Sequence, residues 1–253
     1  MRILLTGATG GIGRAAAALF VRSGAAVLLA GRRPARLSAQ ARALGREPRV
    51  GWAAADLADP AQIERLAAEA AAWDCNVVVH AAGTPAFGLL QLQDAPAVQQ
   101  ALQVNLLAPM LLTRALLPHL RGQPRAQVLC VGAAQGAIGL PGCSLYSAGK
   151  FGLRGFAEAL RRELAATTVR VQYLGPRTGP AGADAPAAVA AAMLRLLQDE
   201  AAECFPGVAQ QLAVRLNGLV PAWLDDRFSR RGRAPALPCG VPPHPGRHPG
   251  EAG

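Results

Sequence analysis

The sequence predicts an α/β fold in which helices cover both faces of a doubly wound parallel sheet, so that the domain has three layers. Short apolar runs rich in Val, Leu and Ile alternate with Ala-rich stretches of helical periodicity, as expected of repeated strand–helix–strand units. A glycine-rich turn also follows the first apolar run directly. The predicted strands are residues 2–5, 26–30, 49–53, 76–80, 127–131 and 170–174, and the predicted helices include residues 13–23, 60–72, 96–121 and 147–165.

The chain has 253 residues, of which 51% are apolar, and this size fits one large domain with a substantial core. We place that domain at residues 1–228. Residues 229–253 are dense in Pro, Gly and Arg and have few periodic apolar residues. Because such a segment cannot bury enough apolar surface to order itself, we expect a disordered tail.

An apolar stripe precedes the tail. Its residues recur at helical spacing, which predicts a helix packed on the domain, with weak membrane-surface contact by residues 209–228 or a dimer contact as alternatives. The stripe consists of Leu212, Leu216, Leu219 and Trp223.

Composition argues against several other classes of protein. No run reaches the roughly 18 uninterrupted apolar residues of a membrane span, and the first apolar run is too short for a secretory signal, so we expect a cytoplasmic protein without a transmembrane segment. The net charge of +10 comes almost entirely from dispersed arginines, which does not predict nucleic-acid binding. The five cysteines lack metal-ligand spacing, so we expect free thiols and no metal site.

The glycine-rich turn lies between the first strand and the first helix, where a dinucleotide-binding turn of a Rossmann-type fold is expected. Gly7 would allow the tight turn, Gly11 would let the backbone approach a pyrophosphate, and Gly13 would let the helix pack closely on the strand. The helix N-terminus would offer unpaired N–H groups to the phosphates. The predicted cofactor contacts here are Gly7, Thr9, Gly10, Gly11, Ile12 and Gly13.

The second strand is followed by Arg32 and Arg33, where an NAD site would carry an acidic residue for the ribose hydroxyls. Guanidinium groups suit a 2′-phosphate, so the sequence predicts NADP, with NAD the less favoured cofactor. The alternative is that both arginines are ordinary surface residues. Later strand ends add further predicted contacts, namely Asp56, Leu57, Ala81, Ala82 and Gly83. His80, just before them, is expected to be a packed strand-end residue.

Tyr146 and Lys150 are four residues apart at the start of a predicted helix, so both lie on one helical face. This spacing brings an ammonium group near a phenol. Lys150 is the only lysine in the chain, which indicates that this position requires an ammonium group and would not accept a guanidinium group.

These motifs, in this order, resemble those of the short-chain dehydrogenase/reductase family. The resemblance covers residues 1–228 and rests on T-G-x-x-x-G-I-G from Thr6, Asp56, A-A-G from Ala81, Asn105 in Val-Asn-Leu, and Y-x-x-x-K from Tyr146.

The resemblance implies hydride transfer between a nicotinamide and a small-molecule carbonyl or alcohol, with Tyr146 as acid and base. It implies that Lys150 holds the nicotinamide ribose and lowers the tyrosine pKa, and that Asn105 supports a proton relay. Pro176, in the altered turn after the sixth strand, would also contact the cofactor. Family members often form homodimers or homotetramers, so a homo-oligomer is expected.

The sequence departs from the family at two places. Ala133 stands where the family has its catalytic serine, and only a few residues separate Arg177 from the helix starting near Pro186, where relatives carry a substrate lid. Ser144 or Gln135 could supply a replacement hydrogen-bond donor. A second function therefore stays open, that of a cofactor-binding sensor or partner subunit with weak or no catalysis.

Overall fold

A computed structural model describes residues 1–45, 49–178, 183–199, 201–207, 211, 212 and 214. The expected tail, residues 229–253, lies outside the described residues. So does most of the segment 209–228, of whose apolar stripe only Leu212 is described, as an exposed residue.

The sheet has seven strands in the described part of the chain, and all of them are parallel. They are β1 (Arg2–Thr6), β2 (Ala26–Gly31), β3 (Val50–Ala54), β4 (Val77–His80), β5 (Ala126–Val131), β6 (Val169–Leu174) and β7 (Glu203–Cys204). Their spatial order is β3-β2-β1-β4-β5-β6-β7, which confirms the predicted doubly wound sheet. The short strand β7 was not predicted; it pairs with Tyr173 and Leu174 at the edge of the sheet.

Seven α-helices connect these strands in the described residues. They are α1 (Gly11–Arg22), α2 (Pro34–Leu44), α3 (Pro60–Ala72), α4 (Ala95–Leu102), α5 (Ala108–Gly122), α6 (Ser144–Glu163) and α7 (Pro186–Gln198). Helix α2 was not among the predicted helices. The single helix predicted at residues 96–121 consists of α4 and α5, joined without a break by a π-helical turn, Gln103–Leu107.

Local sequence explains where several helices begin. The carboxylate of Asp59 accepts hydrogen bonds from the backbone of Ala61 and Gln62 at the start of α3, and that of Asp94 accepts from Ala97 at 2.7 Å at the start of α4. These caps satisfy N–H groups that have no partner within the helix. Pro occupies the first turn of both helices, where it costs no hydrogen bond.

Two apolar clusters pack on opposite faces of the sheet, which is the predicted three-layer arrangement. One contains buried residues of α3, α5 and α6, such as Leu66, Leu112 and Leu153. The other contains buried residues of α1, α2 and α7, such as Phe20, Leu37 and Met193. The stretch Ala95–Gly122 is, among the described residues, the one helical segment long and apolar enough to cross a membrane. Its residues Leu112, Leu116 and Leu120 are fully buried in the core.

The strand order reverses next to β1, because β2 leads away from it on one side and β4 on the other. Helices that leave neighbouring strands to opposite faces open a crevice at the carboxyl ends of these strands, which is where α/β proteins bind ligands.

Candidate active site

A cavity of about 240 Å³ occupies this crevice. Nine of the predicted cofactor residues line it, namely Gly7, Thr9, Gly10, Arg32, Asp56, Leu57, Ala81, Ala82 and Gly83. It is also lined by residues that the sequence analysis did not identify, namely Gly31, Ala55, Thr84 and Val104. Gly31, Ala55 and Thr84 each directly neighbour a predicted cofactor residue in the sequence, and Val104 directly precedes Asn105. Their position next to predicted residues is the one sequence feature that could have identified them.

The close approach of backbones at the glycine turn explains two of its glycines. Gly7 has φ +68°, and a Cβ there would lie 2.7 Å from the Ala82 Cα. A Cβ on Gly13 would overlap the Gly7 carbonyl oxygen. A side chain at either position would therefore push the first turn of α1 away from β1 and β4.

The N-terminus of α1 is open towards the crevice. Its capping residue is Gly10, which provides no side-chain hydrogen bond to the first turn. The first N–H groups of the helix are therefore free to meet an anion. Gly11 and Ile12 belong to this first turn but do not line the cavity; Gly11 is exposed and Ile12 packs partly into the core.

The two arginines after β2 lie in different places. Arg32 lines the cavity, whereas Arg33 is the residue that precedes the first turn of α2 and does not line it. Both side chains are exposed. Of the two arginines, the structure thus brings only Arg32 to the crevice.

Thr6 shapes the wall formed by the end of β4. Its hydroxyl accepts hydrogen bonds from the backbone N–H groups of Ala81, at 3.1 Å, and Ala82, at 3.2 Å. The hydroxyl also donates to the Val79 carbonyl at 3.3 Å. This buried threonine, predicted only as part of the turn motif, positions the backbone that faces the crevice.

Asn105 lies in the π-helical turn and holds the next stretch of that wall. Its Oδ1 accepts from the Thr84 N–H at 3.1 Å, and its Nδ2 donates to the Thr84 carbonyl at 2.9 Å. A Cβ placed on Gly83 would lie 3.1 Å from Asn105 Oδ1 and 3.5 Å from Lys150 Nζ. The cavity wall therefore adjoins Asn105 and Lys150, two of the three predicted catalytic residues, although neither lines the cavity itself.

Tyr146 and Lys150 are both buried on the first turns of α6. Lys150 Nζ donates to the Val131 carbonyl at 3.3 Å and lies 5.7 Å from the centroid of the Tyr146 ring. Burial lowers the pKa of Lys150 to about 8, while the nearby Cys130 opposes this shift.

The electrostatics of Tyr146 differ from the expectation. Burial raises the pKa of its phenol, and a hydrogen bond with Thr178 opposes that shift. The lowered tyrosine pKa that the family resemblance implied is therefore not seen. The reason is that the phenol is buried among apolar side chains, while the lysine ammonium group is bonded to a backbone carbonyl.

The Tyr146 hydroxyl lies 3.3 Å from the Thr178 hydroxyl. Gln135 holds Thr178 through two hydrogen bonds, because its Nε2 donates to the Thr178 carbonyl at 2.8 Å and its Oε1 accepts from the hydroxyl at 3.1 Å. Ser144, the other residue considered as a replacement donor, is exposed. Thr178 itself was missed, because its position beside Tyr146 depends on the path of the loop after β6.

Ala133 is fully buried and belongs to the apolar cluster around Tyr146, which Phe87 borders with its ring 5.0 Å from the tyrosine ring. The Ala133 backbone is fixed by Tyr173, whose hydroxyl accepts from its N–H at 3.2 Å and donates to its carbonyl at 3.1 Å. Pro176 is buried behind this loop, where its carbonyl accepts from the Ala134 N–H at 2.7 Å, and it does not line the cavity.

His80 is a packed strand-end residue. It is buried, its Nε2 lies 2.8 Å from the Thr113 hydroxyl, and burial lowers its pKa to about 4. Among the described residues no group of three or more His, Cys, Asp or Glu could hold a metal. Cys75, Cys130 and Cys204 are free, but Cys143 is disulfide-bonded, so the expectation of free thiols is wrong for Cys143.

Known proteins match this architecture over most of the chain. The family model described as short chain dehydrogenase matches residues 1–184. Dehydrogenase/reductase SDR family member 7B of Mus musculus is 30% identical over 183 residues, covering 69% of this chain and 56% of the relative, so the chain spans about half the length of that relative. The NADP-dependent 3-hydroxy acid dehydrogenase YdfG of Salmonella typhi is 34% identical over 180 residues, covering 70% of this chain and 71% of the relative.

A solved structure agrees with the sequence matches. A metagenomic short-chain oxidoreductase in complex with NADP superimposes with a TM-score of 0.74 at 29% identity, covering 82% of this chain and 98% of that one. The glycine turn, the parallel sheet and the tyrosine–lysine pair thus occur together in a chain that belongs to the short-chain dehydrogenase/reductase family.

Proposed function

We propose that this protein is an NADP-dependent oxidoreductase that interconverts a carbonyl compound and an alcohol. The observation that carries the proposal is the continuity between the cofactor crevice and the tyrosine–lysine pair. Gly83 lines the crevice, and a Cβ on this residue would lie 3.5 Å from Lys150 Nζ. A ligand that fills the crevice and extends past Gly83 would therefore reach the only lysine in the chain.

The residues present fit a dinucleotide. Gly7 and Gly10 leave the backbone open at the N-terminus of α1, where uncapped N–H groups suit a pyrophosphate. Asp56 and Leu57 line the part of the cavity beyond β3, where they would meet the adenosine half. Arg32 would pair with a 2′-phosphate, and this contact supports NADP over NAD. When bound, the nicotinamide would supply or accept the hydride.

Tyr146 would move the proton. Because burial raises its pKa, the phenol holds its proton near neutral pH, as a donor to a carbonyl oxygen must. Lys150 would hold the ribose and place a positive charge beside the reacting phenol. Phe87 and Leu145 make the surroundings of the phenol apolar, which favours an uncharged carbonyl compound as substrate.

The cofactor part of the proposal is tested with Arg32→Ala and the matched control Arg33→Ala. Titration calorimetry with NADPH should show a loss of about 10- to 100-fold in affinity for the first variant, because a charged hydrogen-bonded pair is removed. The control should change by less than about threefold, since Arg33 lies outside the cavity. Equal affinities of the unmodified protein for NADPH and NADH would contradict the preference for NADP.

The catalytic part is tested by following NADPH absorbance against a panel of aldehydes and ketones. Tyr146→Phe should abolish turnover and leave NADPH affinity within about threefold, because only the proton donor is removed. Full turnover by this variant would refute the assigned role. Tight NADPH binding without turnover on any carbonyl would favour the second function, a cofactor-binding sensor or partner subunit, for which Ala133 is the supporting observation.

A further inference from the structure

Tyr146 has one hydrogen-bond partner for its hydroxyl within the described residues, and that partner comes from a distant part of the chain. Thr178 follows β6, and its Oγ1 lies 3.3 Å from the tyrosine oxygen. Residue 133, the family's serine position, carries only a methyl group here and lies in the same buried cluster as the tyrosine. The hydroxyl next to Tyr146 therefore comes from the loop after β6 and not from residue 133 in the loop after β5.

Gln135 fixes this hydroxyl in place. It is itself buried and sits in the short helical turn Ala134–Gly136. Its amide bonds both the backbone carbonyl and the side-chain hydroxyl of Thr178, at 2.8 and 3.1 Å. A two-point contact of this kind restricts the threonine to one position, which is what a reacting group requires of its neighbours.

The direction of the hydrogen bonds follows from the groups themselves. A backbone carbonyl only accepts, so the Nε2 of Gln135 must face the Thr178 carbonyl and its Oε1 must face the hydroxyl. Because Oε1 also only accepts, the Thr178 hydroxyl donates to it. With its own proton used in this way, the threonine oxygen accepts from the Tyr146 phenol in the resting site.

We propose that Thr178, held by Gln135, is the catalytic hydroxyl that serves Tyr146 in the absence of a serine at position 133. During reduction the Tyr146 O–H bond breaks and the proton forms a new O–H bond on the substrate oxygen, whose carbon accepts the hydride. The Thr178 hydroxyl then turns from Gln135 to the phenolate and stabilises its negative charge, while keeping its own proton. This assignment rests on the proposed function.

The charged groups around the phenol are few in the described part of the chain. Lys150 lies below the ring, 5.7 Å from its centroid. Arg177 precedes Thr178, but its guanidinium group is paired with Asp184 at 2.8 Å. Apolar residues, among them Phe87 and Leu145, pack around Tyr146 in the same buried cluster. Removing the Thr178 hydroxyl should therefore shift the titration midpoint of the Tyr146 phenol directly.

The test uses the whole protein labelled with 3-fluorotyrosine, because fluorine lowers the pKa of a phenol and so moves its titration to a milder pH. The chain has two tyrosines, so ¹⁹F NMR gives two resonances, and Tyr146→Phe identifies the one that belongs to Tyr146. Thr178→Val should raise the titration midpoint of that resonance by about one pH unit or more, because a hydrogen bond to the phenolate is lost. Thr178→Ser should stay within about 0.3 pH units of the parent protein.

Thr167→Val is the matched control, because the Thr167 hydroxyl bonds the Leu164 carbonyl at a distant turn. Equal midpoints for Thr178→Val, Thr167→Val and the parent protein would overturn the inference, whatever the enzyme activity. On an active carbonyl substrate, Thr178→Val should lower kcat by about 10- to 100-fold with less than a threefold change in KM, and Thr178→Ser should restore it. A shifted midpoint without turnover in any variant would refute the proposed function and leave the Thr178–Tyr146 contact established.

Discussion

Acid should destabilise this protein through the buried histidine His80. His80 is at the end of β4, where it is buried and its Nε2 contacts the Thr113 hydroxyl at 2.8 Å. Burial lowers its pKa from the ordinary 6.5 to about 4. In this window the unfolded chain binds a proton that the folded protein does not, so stability must fall as the pH falls.

The size of the effect follows from the shift. The pKa difference of roughly 2.5 units corresponds to about 3 kcal/mol, which is lost between about pH 6.5 and pH 4. Asp59 has a lowered pKa as well, but its contribution is lost only below its ordinary pKa of 3.8. The histidine should therefore dominate the upper part of the acid range.

Urea unfolding followed by circular dichroism at several pH values measures this loss. His80→Gln keeps an amide near Thr113 but cannot titrate, so its unfolding free energy should be lower at neutral pH by about 1–2 kcal/mol and nearly flat from about pH 6.5 to pH 4.5. The parent protein should lose about 1.4 kcal/mol per pH unit within this window. Parallel curves for the two proteins would refute the reasoning.

Three further predictions concern the packing around the site. Tyr173→Phe should lower the unfolding free energy by about 1–3 kcal/mol in urea, because it leaves the buried N–H of Ala133 without its partner, while the Ala133 carbonyl keeps the N–H of Gly136. Gly13→Ala should cost about 3 kcal/mol or more in the same assay, whereas Gly155→Ala, whose Cβ would meet no atom within 4 Å, should stabilise α6 by about 0.5–1 kcal/mol. Ala133→Ser should raise kcat by less than about threefold alone but by about tenfold in the Thr178→Val background, which steady-state kinetics would show.

The parts of the fold that could be predicted are those coded by neighbouring residues. The strand before the glycine turn and helix α3 from Pro60 to Ala72 follow from local apolar periodicity and a capping aspartate. Strand β7 could not be predicted, since its two residues, Glu203 and Cys204, are held only by pairing with β6. The π-helical turn around Asn105 was missed because the apolar pattern runs through it without interruption.

The site shows the same limit. The glycine turn and the tyrosine–lysine spacing are short-range patterns, so the sequence predicts them residue by residue. The contact of Tyr146 with Thr178 joins residues 32 positions apart, and that of Gln135 with Thr178 joins residues 43 positions apart. No periodicity or motif encodes such a pair. It arises where the loop after β5 and the loop after β6 meet at the carboxyl ends of adjacent strands.

The side chain at position 105 leaves almost no chemical freedom for substitution. The backbone of Thr84 directs both its N–H and its carbonyl towards this side chain. Asn105 Oδ1 accepts from the N–H at 3.1 Å, and its Nδ2 donates to the carbonyl at 2.9 Å. An aspartate carboxylate would accept from the Thr84 N–H but would repel the Thr84 carbonyl. A serine hydroxyl is too short to reach both groups, and a leucine would leave both without a partner. Only a carboxamide of this length makes both hydrogen bonds. The contact with the Thr84 backbone therefore requires asparagine at position 105, independently of any catalytic role.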